Sequence, residues 1–339
     1  MRWDKGITAS FYCHIIDPET WREVELLQIT GGQIERSAEG LRDSADLDCV
    51  NYPEGKENYI RVYMDAHQEG GSAHVPIFTG LAASPSRDIN GTYTTNTVQC
   101  YSILKVAQDV LLPRGYYIPK GTNGATAIKD LLRILPSPVE ITGTAPTVST
   151  AIIAEDGENR LSMTDKVLTA IGWRMILHGD GHVEITPQPD DIKADLAPEG
   201  NDIIEQALST TYDWYEAPNV FRAVRQEAVA TARDNDQDSP WSIVNRGREV
   251  WMEETNCTLN SGESLTQYAR RRLAEEQQIA FNANYTRRFL PDVYPGDNIR
   301  LRYPGQKLVG IFRIIKQSIT LGHAAKTQEE VKRIEEYNF

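Results

Sequence analysis

Strict alternation of apolar and polar residues marks the two ends of the chain. Ile7, Ala9, Phe11, Cys13 and Ile15 occupy every second position, the period of a strand with one buried face. Asp17-Pro18-Glu19-Thr20 turns this strand, and residues 24–29 return. Gly31-Gly32 then opens a polar stretch at 33–50, anchored by Leu41 and Leu47, which predicts a loop or edge excursion leading into a strand at 45–50. After Pro53-Glu54-Gly55 come Tyr59-Ile60-Arg61-Val62-Tyr63-Met64, a Gly70-Gly71 break, and a return run centred on Phe78. At least six strands with almost no helix predict a small β-barrel or sandwich through about residue 83.

The same layout returns at 291–321. After the turn Pro295-Gly296-Asp297, Ile299, Leu301 and Tyr303 lie on one face and Arg300 and Arg302 on the other. Pro304-Gly305 breaks the run, and a β-branched return strand follows with Phe312 at its centre. Two such hairpins predict two related β-domains at opposite ends of one chain, against the plainer account that any hairpin has this layout.

Helical periodicity is confined to the middle and to one later stretch. Ile103, Val106, Ala107 and Val110 have helical spacing, and Asn123 caps a second helix that runs through Ile128, Leu131, Leu132 and Leu135 to Pro136. Ser162-Met163-Thr164-Asp165 has the form of a capping box, with Val167, Leu168 and Ile171 lining the helix and Gly172 ending it. Strands at 173–177 and 182–186 flank the hairpin turn Gly179-Asp180-Gly181. Residues 187–200 read as an acidic linker. A strand follows from Asn219, then a polar loop at 233–240, a Ser264-capped helix with Leu265, Tyr268, Ala269, Arg272 and Leu273 on one face, and a strand at 279–287. The charged tail from Lys326 reads as a strand or a short helix.

Length and charge narrow the classes. A chain of 339 residues exceeds one ordinary core and predicts two to four compact units. No stretch approaches the roughly 20 apolar residues of a membrane span, and Met1-Arg2-Trp3-Asp4-Lys5-Gly6 lacks a secretory apolar core, so assembly in a cytoplasm without stable membrane insertion is expected. Cys13, Cys49, Cys100 and Cys257 are scattered, which predicts free thiols. A net charge of −13 opposes binding to the outside of nucleic acid and suits a conduit that lets DNA pass.

Catalytic signatures are missing: there is no Gly-x-Ser-x-Gly elbow, His-Glu-x-x-His helix, phosphate-binding loop or dinucleotide fingerprint. His178 and His182 flank a turn but lack the third ligand that zinc needs. The acidic pairs Asp190-Asp191 and Glu253-Glu254 lack calcium-loop spacing. Arg270-Arg271-Arg272 point in three directions on a helix. No catalytic residue, cofactor or metal ligand is therefore assigned. Trp241 and Trp251, with Tyr212, Trp214 and Tyr215, predict core or subunit packing ahead of a sugar-binding platform.

The order is a β-domain, a helical connection, a Ser-capped helix leading to Gly172-Trp173, a Gly-Asp-Gly hairpin, an Asn219-Val220 strand start, and a final Pro-Gly-Asp-x-Ile ribbon. It resembles the hub proteins of phage tails and related injection machines. The resemblance implies a β-rich α+β fold with two tail-tube-like β-barrel domains, at residues 1–100 and 201–339, around a small α+β region at 101–200. It implies a non-enzymatic homotrimer in the virion tail, whose pseudo-sixfold ring joins the tail tube or distal tail protein to the spike or fibre while DNA passes in transit. The alternatives are a cell-wall hydrolase or peptidase, and a carbohydrate-binding adhesion module. Gln33, Leu41, Arg42 and Asp46, in a long polar segment within a β-domain, and the aromatic Trp241 and Trp251 are the candidate assembly contacts.

Overall fold

The computed structural model describes residues 1–53, 57–91, 93–198, 204–212, 214–215, 217–257, 259–260, 262–279, 281–303 and 308–334. The predicted turns at Glu54-Gly55 and Pro304-Gly305 and the last five residues of the tail lie outside them.

The N-terminal strands are β1 (Thr8–Ile16), β2 (Glu23–Ser37), β3 (Asp43–Val50), β4 (Asn58–Gln68), β5 (Gly71–Pro85), β6 (Asp88–Asn90) and β7 (Tyr93–Ser102). All pair antiparallel. β1 pairs with both β4 and β2, and the remaining pairings run β4–β5, β5–β7, β7–β3 and β3–β2, so six strands form a circuit that returns to its start. Their alternating residues face one core, where Ile34, Leu47, Val62, Phe78 and Val98 are fully buried. Cys13, Cys49 and Cys100 sit in it as small hydrophobes, and all four cysteines are free and buried.

Gly31-Gly32 does not end β2. The register shifts there, from Ile29 opposite Cys49 to Gly31 opposite Asp48, which is a bulge, and the strand continues to Ser37. At Gly32, with φ of 136°, a Cβ would stand 2.3 Å from the Asp46 carbonyl oxygen, so the position admits only glycine. A glycine pair carries no alternating side chains, so the strand period is interrupted there, and residues 33–37 of the expected loop or edge excursion are strand.

The middle of the chain holds α1 (Lys105–Gln108), β8 (Tyr117–Ile118), α2 (Gly124–Leu132), β9 (Val139–Ile141), β10 (Ile152–Ile153), α3 (Arg160–Ile171), β11 (Trp173–Leu177) and β12 (Val183–Pro187). The predicted first helix is one turn long. Asn123 caps α2 as expected, accepting from the Thr126 amide at 3.2 Å. Asn159, not Ser162, caps α3: its Oδ1 accepts from the Ser162 amide at 2.8 Å, while the Ser162 hydroxyl donates to Glu158. Gly172 closes α3 in the left-handed region at φ 67°. A separate core, with Ile128, Leu132, Val167, Val183 and Ile185 at its centre, holds this unit together.

The C-terminal elements are β13 (Ile192–Leu196), β14 (Ile204–Tyr212), β15 (Val220–Arg225), β16 (Ala228–Arg233), α4 (Ile243–Arg246), β17 (Trp251–Thr255), α5 (Leu265–Ile279), β18 (Phe281–Arg288), β19 (Asn298–Tyr303), β20 (Leu308–Thr320) and β21 (Lys326–Arg333). The expected linker at 187–200 contains β13, which pairs in parallel with β19. The strand order is β13-β19-β20-β21-β18-β14. β2 pairs antiparallel with β20, Gln33 opposite Thr320 through Ser37 opposite Lys316, and so joins both β-regions into one thirteen-stranded sheet. Between β14 and β18 the chain builds a distinct sheet, β16-β15-β17, which packs on α5 through Phe221, Ala223, Tyr268, Ala269 and Leu273. Ser264 and Gln267 form a reciprocal capping box at the start of α5. The described part of the tail forms β21, a strand.

One buried network crosses β18, β20 and β21. Arg287 Nη2 donates to Glu329 Oε1 at 2.5 Å, Gln317 Nε2 donates to the same oxygen at 2.7 Å, and the Tyr285 hydroxyl donates to Oε2. The Arg287 and Glu329 side chains are 1% and 0% exposed, so the charges have no solvent to fall back on.

Candidate assembly site at the joint between the units

The hairpin between β11 and β12 is pressed onto β5. Thr79 Oγ1 donates to the Gly179 carbonyl at 2.7 Å, and Arg61 Nη2 donates to the Asp180 carbonyl at 2.9 Å. A Cβ at Gly179 would stand 2.0 Å from the Pro76 carbonyl oxygen and 2.7 Å from the Ile77 Cα. The turn glycines thus have different duties: Gly181 supplies a φ of 90°, whereas Gly179 makes room for the backbone of β5. Sequence spacing reveals the first duty and not the second.

His178 and His182 stack at 3.9 Å between ring centroids, and Tyr294 meets His178 edge-on at 5.1 Å. Each histidine is already engaged by an acid, His178 with Glu184 at 3.0 Å and His182 with Asp180 at 2.7 Å. Burial lowers the His178 pKa more than Glu184 raises it. Among the described residues no group of three or more His, Cys, Asp or Glu side chains is placed to hold a metal. No described helix is long and apolar enough to cross a membrane.

Two arginines tie the units together. Arg36, 2% exposed, donates to the Ile77 carbonyl at 2.6 Å and lies 5.0 Å over the Tyr294 ring. Arg42, at φ 62° in the β2–β3 turn, donates to Asp165 of α3 at 2.7 Å and to the Gly40 carbonyl at 2.8 Å. Between them Asp43 is buried, its Oδ2 without a hydrogen bond and 4.0 Å from Arg36 Nε. Burial pushes its carboxyl up to about 7, against the pull of Arg36 and Arg42. The folded state therefore holds an extra proton between 3.8 and about 7, and the Asp43 contribution to stability falls as pH rises through that window. Asp43→Asn should flatten the pH dependence of the urea midpoint across this range and raise the midpoint most near its upper end.

The six candidate contacts separate. Gln33 and Asp46 are exposed and stand opposite each other on β2 and β3, with Gln33 also reaching Ser318 Oγ at 2.5 Å. Leu41 packs on the middle core, and Arg42 is occupied by Asp165. Trp241 is 2% exposed and packs in the C-terminal core 4.8 Å from Trp214. Trp251 is 45% exposed on β17, donates to Glu249 at 2.8 Å, and has the guanidinium carbons of Arg222 and Arg233 each 5.1 Å from its ring centroid. Trp251→Ala should change the unfolding free energy by less than about 1 kcal/mol, measured by urea titration, because it removes only half-exposed surface, one exposed hydrogen bond and cation–π contacts. Arg271 and Arg272 engage Glu254, Glu263, Glu275 and Glu276 around α5. The ion pair between Arg174 of β11 and Asp297 before β19, at 2.8 Å, is a further tie that sequence reading did not single out.

No protein-family profile and no curated protein matches the sequence. Solved structures do match along nearly the full chain. A tail protein from Neisseria meningitidis MC58 aligns over 97% of both chains at 14% identity, with a TM-score of 0.72. The 43 kDa tail protein of prophage MuSo2 from Shewanella oneidensis covers 96% of this chain and 98% of its own at 13% identity and a TM-score of 0.69. An E. coli component of the type VI secretion system, described as structurally similar to the T4 tail proteins gp27 and gp5, covers 92% and 76% at 9% identity and a TM-score of 0.56. The chain has the fold of the phage tail hub proteins, the family that its element order and motifs resemble.

Proposed function

We propose that the chain is the structural hub of a phage tail tip or baseplate, acting without catalysis. Three copies, each offering two tube-like β-barrels, form a ring of six that docks on the hexameric tail tube or distal tail ring. The opposite face hands over to a threefold spike or fibre. The observation that carries this reading is the pairing of β2 with β20, which sets two β-regions side by side in one chain, as three chains matching six require. The closed circuit of six N-terminal strands supports a barrel at residues 1–100, and the order β19-β20-β21-β18-β14 supplies the wall of the second, at 201–339, which β13 extends from residues 192–196. The module at 101–200 braces both, through Gly179 against β5 and Arg174 against Asp297. The terminal strands β13 and β14 offer edges for augmentation between copies. Exposed Gln33, Asp46 and Trp251 lie open to such contacts, while Leu41, Arg42 and Trp241 hold their neighbourhoods in shape. A net charge of −13 suits a channel that DNA traverses without adhering.

Light scattering and negative-stain imaging test the assembly. The expected particles have the mass of three chains and a threefold ring with a central channel. Monomers alone, both in isolation and with tube protein present, would overturn the reading.

A further inference from the structure

A cavity of about 630 Å³ opens where the β2–β3 turn, α3, β11, α5, the middle of β20 and the end of β21 meet. Five cations line it: Arg42 and Arg272, both already ion-paired, and Arg174, Arg313 and Lys332. Arg313 and Lys332 stand directly opposite each other on β20 and β21, and like charges in register repel. Arg174 lines the same cavity. One of its nitrogens is held by Asp297 at 2.8 Å, but its Nε and Nη1 are buried without a hydrogen-bond partner, and the side chain is only 10% exposed.

Of the three lining carboxylates, Glu39 is exposed and the other two are committed elsewhere. Asp165 serves Arg42, and Glu275 already accepts from Arg271 and Arg272. Arg313 has Asn298 as its hydrogen-bond partner at 3.2 Å, and Asp190 and Glu275 act on it only at longer range. Burial, then the charge of Arg174, holds its guanidinium below its ordinary value. Buried donors without acceptors and a repelling pair are costly, and an anion would relieve both. The chain as a whole is strongly acidic, so this concentration of positive charge runs against its average.

We propose that this cavity is a binding pocket for the carboxylates of an acidic peptide segment, held by Arg174, Arg313 and Lys332. The volume is that of a pocket for a peptide side chain or small molecule, more than a lone inorganic anion needs. Leu168, Trp173 and Met175 supply an apolar wall beside the cations, which suits a segment that pairs acidic with aromatic residues. Another chain can provide such a segment, and so can this chain's own Glu335-Glu336-Tyr337 sequence.

Calorimetric titration of the full chain with blocked Glu-Glu-Tyr peptide, its Gln-Gln-Tyr counterpart and inorganic phosphate tests the pocket. The acidic peptide should bind, and the neutral one should bind at least about tenfold more weakly. Lys332→Gln and Arg313→Gln should each weaken the acidic peptide by a similar factor. Lys332→Gln should leave the melting temperature unchanged or higher, because it removes a like-charge neighbour. Tighter binding by the Glu335→Gln/Glu336→Gln variant assigns the competing carboxylates to the chain itself, and unchanged binding assigns them to another chain. No binding, equal binding of both peptides, insensitivity to the two cation variants, or phosphate that binds and is not displaced by peptide would each overturn the proposal.

Discussion

Arg287→Met should lower the unfolding free energy by about 3–5 kcal/mol, because it leaves the Glu329 carboxylate buried without its cation. Tyr285 and Gln317 continue to donate to that carboxylate, but two neutral donors do not replace a guanidinium at 2.5 Å. The discriminating measurement is the double variant Arg287→Met/Glu329→Gln. The glutamine is neutral and keeps an acceptor near the Tyr285 hydroxyl, so the double variant should be clearly more stable than Arg287→Met alone. Urea denaturation of the wild type and three variants closes the cycle. If the double variant lost as much as both single losses added together, the buried charge would not be the source of the cost. The network lies across β18, β20 and β21, so a loss there weakens the strand set that pairs with β2.

The alternating strands and the two hairpins were legible in the sequence because burial on one face of a sheet imposes period two. Cys13, Cys49 and Cys100 followed from the same pattern, as did the Asn123 and Ser264 caps, whose chemistry is local. The continuation of β2 past Gly31-Gly32 was hidden, because glycine signals a break whether it makes a turn or lets another backbone approach. β13 was hidden by proline and acidic residues around a five-residue strand at the sheet's end. Trp241 and Trp251 look alike as letters, and only the tertiary fold buries one and exposes the other. The cationic cavity draws Arg174, Arg313 and Lys332 from distant positions, so no local motif announces it. The same holds for the joint, where Arg36, Arg42 and Gly179 act across long sequence separations.

Gly179→Ala should cost about 3 kcal/mol, at the upper end of the range for overpacking. The added Cβ would lie 2.0 Å from the Pro76 carbonyl oxygen, 2.5 Å from its carbon and 2.7 Å from the Ile77 Cα. All three are backbone atoms of a strand held by β4 and β7, so none can rotate away as a side chain would. The module can yield only by lifting its hairpin from β5, which breaks the bonds from Thr79 and Arg61 and draws Tyr294 away from the histidine stack. Gly181→Ala is the contrasting variant. It meets Thr79 Cγ2 at 2.9 Å and Cβ at 3.0 Å and strains a φ of 90°, but these contacts are longer than the backbone clashes at Gly179, so the loss should be smaller. Calorimetry should resolve Gly179→Ala into two transitions as the module melts apart from the β-regions, while amide exchange should quicken in β11 and β12 before β4. A single transition at the wild-type temperature would mean that the contact with β5 does not brace the joint. Loss of the proposed trimer although each unit stays folded would tie the proposed ring to the angle at which this hairpin holds the two β-regions.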